Sequence, residues 1–400
     1  MQKVCAFCLA FCLFCGFVNF SGQILKNSDL SKQINDLKPA LNYNASHQKF
    51  NCAEAMDVNL RDDNVMLLCL SSESADISDF DPQCQDSAHP KRLFNNGNSD
   101  FNICLLGTGN NKCLNHVIHI GAFSGVMKNK KAAIILSPQW FIENDNPMAF
   151  SSNFYPRVFD RFVENKNLSN VLKNSVIDSS KQMLSGFEPA INRLKLFERS
   201  KQNSIISPIF SKTLDITGQI LDKKFERRLV EYFKNPSSYK PETVISDKIN
   251  YNELLKTVEK EGEKCCTSNQ LCIYDWYYNN YVKPTLSYFK NSWVKSIYEI
   301  NQNELKNLRL FIEVCLNLDI KPLLISMPFH GPWSDYTGFT KEYREKCYES
   351  IRQVVNSYDV NFLDLTDHEY EKYFLRDIMH VGWKGWVYID EAIYKFYKQN

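Results

Sequence analysis

The chain lacks an excess of either charge. Its 47 basic and 46 acidic residues leave a formal net charge of +1 over 400 residues, whereas a dedicated nucleic-acid binder carries a clear basic surplus. No nucleic-acid partner is therefore expected, and contact with any polyanion must run through a local patch. The chain also lacks internal repeats and low-complexity tracts, so no repeat architecture is implied. Its cysteines and histidines do not fall at the spacing of a zinc site, and no metal or organic cofactor is expected. It has no second long apolar run to match the one at its N-terminus, which implies a single membrane segment at most.

That N-terminal run is the clearest topological signal. Lys3 precedes an almost uninterrupted apolar stretch from Val4 to Val18, followed by Asn19, Phe20, Ser21 and Gly22. About 20 apolar residues span a bilayer comfortably, so this shorter run reads as an anchor or as the apolar region of a secretory signal. No small-x-small cleavage site follows, and the positive charge lies on the N-terminal side. We expect residues 1–22 to be a retained single-pass anchor in the cell membrane and residues 23–400 to lie outside it. Leu9-Ala10-Phe11-Cys12 has the outline of a lipid-attachment site, but the bulky Phe11 before the cysteine speaks against it. Export permits disulfides. Among the 14 cysteines, Cys69, Cys104 and Cys315 lie within strand or helix patterns, where a thiol behaves as a small hydrophobe. Cys265, Cys266 and Cys272 are the better bridge candidates, with their connectivity open.

A hydrophobic content of 44% suffices for a substantial core. Short apolar runs rich in branched residues recur at Val65–Leu70, Ile103–Leu106, Ala132–Leu136, Pro322–Ser326 and Val360–Leu365, as buried parallel strands do. Between them, Leu305, Leu308, Ile312, Cys315 and Leu316 fall on one helical face, and Tyr343, Cys347, Ile351, Val354 and Val355 on another. This alternation predicts an α/β fold with a doubly wound parallel sheet. Residues 144–300 break the rhythm, with charged helical segments and the aromatic stretch Tyr274-Asp275-Trp276-Tyr277-Tyr278. We expect a helical insertion that covers part of the sheet and shapes a substrate cleft or docks a membrane partner.

The candidate chemistry lies at the two ends of the chain. Ser71-Ser72-Glu73 follows the first strand, and Asp377-Ile378-Met379-His380 places an acid and an imidazole one helical turn apart. A hydroxyl becomes a competent nucleophile when an imidazole removes its proton and a carboxylate fixes that imidazole. Each fragment also has an ordinary explanation, with Ser72 as a helix N-cap and His380 as a surface histidine. Position separates the two: Ser72 stands where an apolar strand gives way to polar chain, the usual place for catalytic groups in open α/β sheets. Donors for an oxyanion are the backbone N–H of Ser72, taken as a helix N-terminus, and Gly107 or Gly109 in Leu106-Gly107-Thr108-Gly109, whose alternative is a tight strand-to-helix turn. Glu73 most simply complements the positive end of the following helix. Asp364 and Asp367 could stand in for Asp377. His89, His116, His119 and His368 have no partner evident from spacing, and Trp383 and Trp386 read as an aromatic plug at the start of the last helix.

Three further segments, Leu136-Ser137-Pro138-Gln139-Trp140-Phe141, Gly331-Pro332-Trp333-Ser334-Asp335-Tyr336-Thr337-Gly338 and His380-Val381-Gly382-Trp383-Lys384-Gly385-Trp386, together resemble the DltD family of D-alanyl transfer proteins in teichoic acid biosynthesis. The resemblance implies a membrane-anchored, extracytoplasmic three-layer α/β/α domain like that of SGNH hydrolases, with a flavodoxin-like sheet. It implies that Ser72 is the nucleophile, as the second serine of a Gly-Ser-Ser-Glu pattern, with Asp377 and His380 as acid and base. Related hydrolases place a side-chain amide where Gln139 stands, which gives Gln139 an oxyanion role and sets Trp140 beside it as cleft wall or core. The implied chemistry is transfer of a D-alanyl ester to a teichoic-acid-like glycerol- or ribitol-phosphate polymer. The implied partners are a membrane-bound O-acyltransferase and an acyl carrier protein system. The sequence departs from the pattern in two places: Leu70 replaces the glycine before the serine pair, and His330 stands where relatives have asparagine. Leu70 either crowds the turn or points into the core. Two other functions stay open, an esterase or thioesterase acting on envelope polymers and a non-catalytic adaptor for the membrane acyltransferase.

Overall fold

The computed structural model describes residues 30–37, 53–77, 81–95, 99–184, 207–233, 249–294 and 299–399, together with Gly16 and Phe20. Each of the five apolar runs forms a strand: β1 is Val65–Cys69, β2 Asn102–Leu106, β3 Lys131–Leu136, β4 Lys321–Ser326 and β5 Asn361–Asp364. They make one sheet in the order β2-β1-β3-β4-β5, with every neighbouring pair parallel. Parallel neighbours need crossover connections, and helices supply them. The helices that matter below are α1 (Ala53–Leu60), α2 (Cys113–Phe123), α3 (Pro156–Glu164), α4 (Asn170–Met183), α5 (Ser207–Phe233), α6 (Tyr251–Cys265), α7 (Gln302–Asn317), α8 (Gly331–Thr337), α9 (Lys341–Val355) and α10 (Trp383–Lys398).

β1 to β4 read as near-continuous apolar runs because both sheet faces are covered there. Val65, Leu67 and Cys69 point into a core formed with α2, α7 and α9. Met66 and Leu68, with Leu70 just beyond β1, point into a second core formed with α6 and α10. The period-2 alternation of a strand thus divides one sequence run between two layers. Side-chain caps fix the starts of several helices: Asn250, Asn301 and Thr340 accept from the backbone N–H of Glu253, Glu304 and Tyr343, the usual role of such residues at N-caps.

Between β3 and β4 the described residues contain helices and no strand. One of these helices, α6, lies against α10 on the second face of the sheet. The aromatic stretch forms a single turn, Asp275–Tyr277, that runs into a π-helical turn at Tyr278–Val282. Cys265 does form a bridge, and its partner is Cys84, with the Cα atoms 5.9 Å apart. Cys266 and Cys272, the other two bridge candidates, are free thiols. Cys69, Cys104 and Cys315 are buried in the core as free thiols. No helix among the described residues is long and apolar enough to cross a membrane; the run Val4–Val18 lies outside the described residues except for Gly16, and Cys12 lies outside them too.

An ion cluster is built around the buried Arg344. The Arg344 guanidinium, with no exposed surface, donates to both Glu369 oxygens at 2.8 and 3.0 Å, to Asp335 at 3.0 Å and to the Phe339 carbonyl at 2.6 Å. Tyr348 also donates to Glu369 at 2.7 Å. A guanidinium can be buried at tolerable cost only when its fork of donors is satisfied in this way. The cluster joins α8 and α9 to the segment that leaves β5.

Candidate active site

The carboxyl end of β1 is a topological switch point, since β1 has neighbours reached by chain excursions in opposite directions, and open α/β sheets gather their ligands at such points. Ser71 and Ser72 emerge there. Their hydroxyls go separate ways. Ser71 is buried, and its Oγ–H donates to the Thr108 carbonyl at 3.4 Å. Ser72 is half-buried, and its Oγ–H donates to Nε2 of His380 at 2.7 Å. The His380 Nδ1–H in turn donates to Asp377, 2.8 Å from Oδ2 and 3.0 Å from Oδ1. The polarity of the chain fixes the tautomer, because a ring nitrogen that accepts from Ser72 requires the proton on the other.

Asp377 and His380 are not on a helix, contrary to the spacing inferred from sequence. Residues 377–380 form a bend, closed by Asp377 Oδ1, which accepts from the backbone N–H of Met379 and of His380 at 2.9 Å each. Asp is well suited to close such a turn through its own side chain. The bend sits inside a frame: Leu375 and Val381 pair as an antiparallel bridge, and Gly382 donates to the Phe374 carbonyl. A Cβ at Gly382 would lie 2.5 Å from the Arg376 nitrogen, so glycine permits the close crossing.

Burial by itself would raise the Asp377 carboxyl, but the charge and hydrogen bond of His380, then Arg376, hold it down to about 2. Burial alone would lower the His380 imidazole. The charge of Asp377 and its hydrogen bond override that and raise it above the ordinary 6.5, with Arg376 opposing and Glu73 adding. The acid is therefore ionised and the imidazole is a stronger base than usual, as a proton-accepting pair requires.

Leu70 does not crowd the turn. It is fully buried in the second core, and its backbone φ is not positive. Space for the turn comes instead from β2, where a Cβ on Gly107 would lie 2.2 Å from the Leu70 carbonyl oxygen. Close backbone approach thus accounts for Gly107. Gly109 faces open space, and its carbonyl accepts from Asn153 Nδ2 at 2.8 Å. Ser72 opens only a three-residue 3-10 turn, Ser72–Ser74, too short for a helix field to build up. Glu73 is buried and accepts from the Ser71 N–H at 2.9 Å, so it pins the turn.

Gln139 lies in the turn after β3, partly exposed, with its Oε1 accepting from the Ser137 hydroxyl. Trp140 is 5% exposed and belongs to the first core, near His116. Asp364 is tied to Arg352 and Thr366 and takes no part with His380. Trp383 and Trp386 are core residues of the second face. His368 pairs with Glu371, and His89 caps a short helix and lies edge-on to Trp386. Burial drives His116 and His119 down to about 3 and about 4 and keeps them neutral.

Sequence reasoning missed one residue of the site and singled out a second, His330, only as a departure from the family pattern. Arg376 lies 3.8 Å from Asp377 and also donates to the Ala75 carbonyl at 2.8 Å, joining the two halves of the site. Its adjacency to Asp377 was visible, but its reach to the β1 turn was not. His330 caps α8 through Nδ1 and donates from Nε2 to the Leu271 carbonyl at 3.1 Å.

A family model described as DltD protein matches residues 42–398. Protein DltD of Bacillus subtilis (strain 168) is 26% identical over 410 residues, covering 98% of this chain and 96% of that protein. Protein DltD of Staphylococcus aureus (strain NCTC 8325 / PS 47) is 29% identical over 324 residues, covering 78% of each. Protein DltD of Lacticaseibacillus rhamnosus is 22% identical over 339 residues, covering 78% of this chain and 74% of its own length.

Proposed function

The chain belongs to the DltD family, and from that premise we propose that it is a serine acyl-ester transferase acting in D-alanylation of teichoic acid or a similar envelope polymer. His380 Nε2 takes the Ser72 proton as Oγ attacks the acyl carbonyl. The same imidazole then gives that proton to the departing group, leaving an acyl-Ser72 ester. An acceptor hydroxyl repeats the step in reverse, losing its proton to His380 and taking the acyl group. Asp377 holds the ring and balances the imidazolium. The oxyanion would lie near the Ser72 N–H, the Gly107–Gly109 segment and Gln139, whose amide nitrogen has no partner among the described residues. Each such donor is worth about 3 kcal/mol of transition-state stabilisation.

The observation that carries this reading is the unbroken Ser72–His380–Asp377 hydrogen-bond chain. The strand order and the site's position at the switch point support an SGNH-hydrolase-like domain. The apolar run Val4–Val18 supports a membrane anchor, and with it partnership with a membrane-bound O-acyltransferase fed by an acyl carrier protein system. The segment around Leu271 and Tyr274, tied to His330 and to the Arg376 carbonyl, borders the site in this scheme. Hydrolysis is the second reading: the His380 side chain keeps 16% of its surface exposed, and water that reaches the imidazole sends an acyl-enzyme to hydrolysis unless a partner covers it.

The test is Ser72→Ala in the full-length chain, read as D-alanyl ester content of the envelope together with assembly of the membrane complex. Esters should disappear while the complex persists. Unchanged ester content with an intact complex would make the chain a non-catalytic adaptor, and release of D-alanine from teichoic acid by the protein alone would make it an esterase.

A further inference from the structure

A cleft of about 590 Å³ opens beside the insertion loop that follows α6. Thr267, Ser268, Asn269 and Gln270 line one side, and Tyr278 and Tyr336 the other. No charged side chain lines it among the described residues. The loop is pre-arranged from behind. Asp275 accepts from Thr267 N–H and Oγ–H at 2.9 and 2.6 Å, from Ser268 N–H and Oγ–H at 2.8 and 2.6 Å, and from Asn269 Nδ2 at 3.2 Å. Tyr336 donates its hydroxyl to the Leu286 carbonyl at 2.8 Å.

The chemistry of this arrangement is selective. Hydroxyls whose protons are already committed to Asp275 or to a carbonyl have only lone pairs left to offer. A phosphate needs donors or cations, and this wall provides few donors and no cation. A ligand rich in hydroxyl donors suits it, and the phenol rings supply the apolar part of such a site. The cleft is also tied to the triad. Leu271, on its rim, accepts from His330, and the Tyr274 N–H donates to the carbonyl of Arg376, the residue before Asp377, at 2.7 Å.

We propose that this cleft is an acceptor subsite for an uncharged polyhydroxyl unit, a sugar ring or a polyol, adjoining the Ser72–His380–Asp377 site. The proposal rests on the acyl-transfer reading above, since it gives that site an acceptor. Phosphate groups of the same polymer would lie outside the cleft.

Saturation-transfer NMR on the full chain tests it, with N-acetylglucosamine and ribitol as separate probes and inorganic phosphate as a competitor. N-acetylglucosamine, ribitol or both should receive saturation, which also distinguishes sugar from polyol, and phosphate should not compete. Gln270→Ala, at an exposed position, and Tyr278→Phe, which removes one hydroxyl, should each weaken binding about fivefold, the worth of a hydrogen bond. Ser72→Ala should leave it unchanged. Absence of binding by both neutral probes, competition by phosphate, or equal binding by both cleft variants would overturn the proposal. The two proposals fail separately: loss of esters in Ser72→Ala with no probe binding removes the subsite alone, and probe binding sensitive to Gln270→Ala with esters retained in Ser72→Ala removes the acyl-transfer reading alone.

Discussion

Asp377 and Asp390 lie on either side of the start of α10, are equally hidden from solvent, and are driven in opposite directions. Asp377 accepts from two backbone N–H groups and from the imidazole of His380, and its carboxyl is held down to about 2. Neither Asp390 oxygen has a hydrogen-bond partner among the described residues. Burial, then the neighbouring Asp86, push its carboxyl well above the ordinary range. Asp86 itself is pushed up by burial and by Asp76, against the pull of Arg376. Depth alone therefore does not decide whether a carboxyl is charged; the donors within reach do. The carboxyl is held toward its charged form where the bend supplies them and pushed toward its neutral form where the α10 core does not.

Removing the charge at the first site has the largest expected effect. Asp377→Asn should lower the acyl-transfer rate by about 10⁴-fold, as loss of the orienting carboxylate does in serine triads, with the fold intact by circular dichroism. A loss below tenfold would mean that the carboxylate does not orient the imidazole. Next comes Arg344, a buried charge whose donors are all used. Arg344→Ala leaves Glu369 without its cation and should reduce unfolding free energy by about 3–5 kcal/mol, measured by denaturant titration.

The pH dependence should divide the two sites by sign. The proposed mechanism requires neutral His380, whose raised ionisation places the acid limb of the rate profile above 6.5; Asp377→Asn should move that limb to lower pH, and an unmoved limb would separate His380 from the proton transfer. For stability, the depressed Asp377 contributes fully above its unfolded value of 3.8 and loses that contribution as pH falls through about 2. Asp390 and Asp86, raised in the folded state, contribute the opposite slope, so stability falls as pH rises above 3.8. The smallest effect is at Asp390→Asn, which should change the transfer rate by less than about twofold because the side chain lies outside the triad. It should flatten the decline in stability above 3.8, and a larger loss of activity would show that the two acids are coupled.

The sheet was legible because its inner strands are covered on both faces, so β1 to β4 appear in the sequence as near-continuous apolar runs, while the edge strand β5 is half-buried and broken by Asn361 and Asp364. The serine pair after β1 and the Asp377–His380 spacing were legible as fragments, since each lies within a few residues. What joins them was not. The bend that replaces a helical turn depends on Asp377 folding back on its own backbone, and the reach of Arg376 to Ala75 spans most of the chain. The pairing of Cys265 with Cys84, rather than with a neighbour in sequence, follows from α6 lying against the segment before β2. The helix imagined behind Ser72 shrank to one 3-10 turn because Glu73 turns back onto the Ser71 N–H.

Gly107 carries a consequence for inheritance. The steric licence for the turn that carries Ser72 is held by the residue after a different strand, β2, across the backbone contact with Leu70. A lineage can therefore replace the residue before the serine pair with a bulky one and keep the turn, whereas even alanine at Gly107 would force Leu70, and Ser72 after it, out of place. The residue preceding the serines is therefore a poor guide to whether this turn can form.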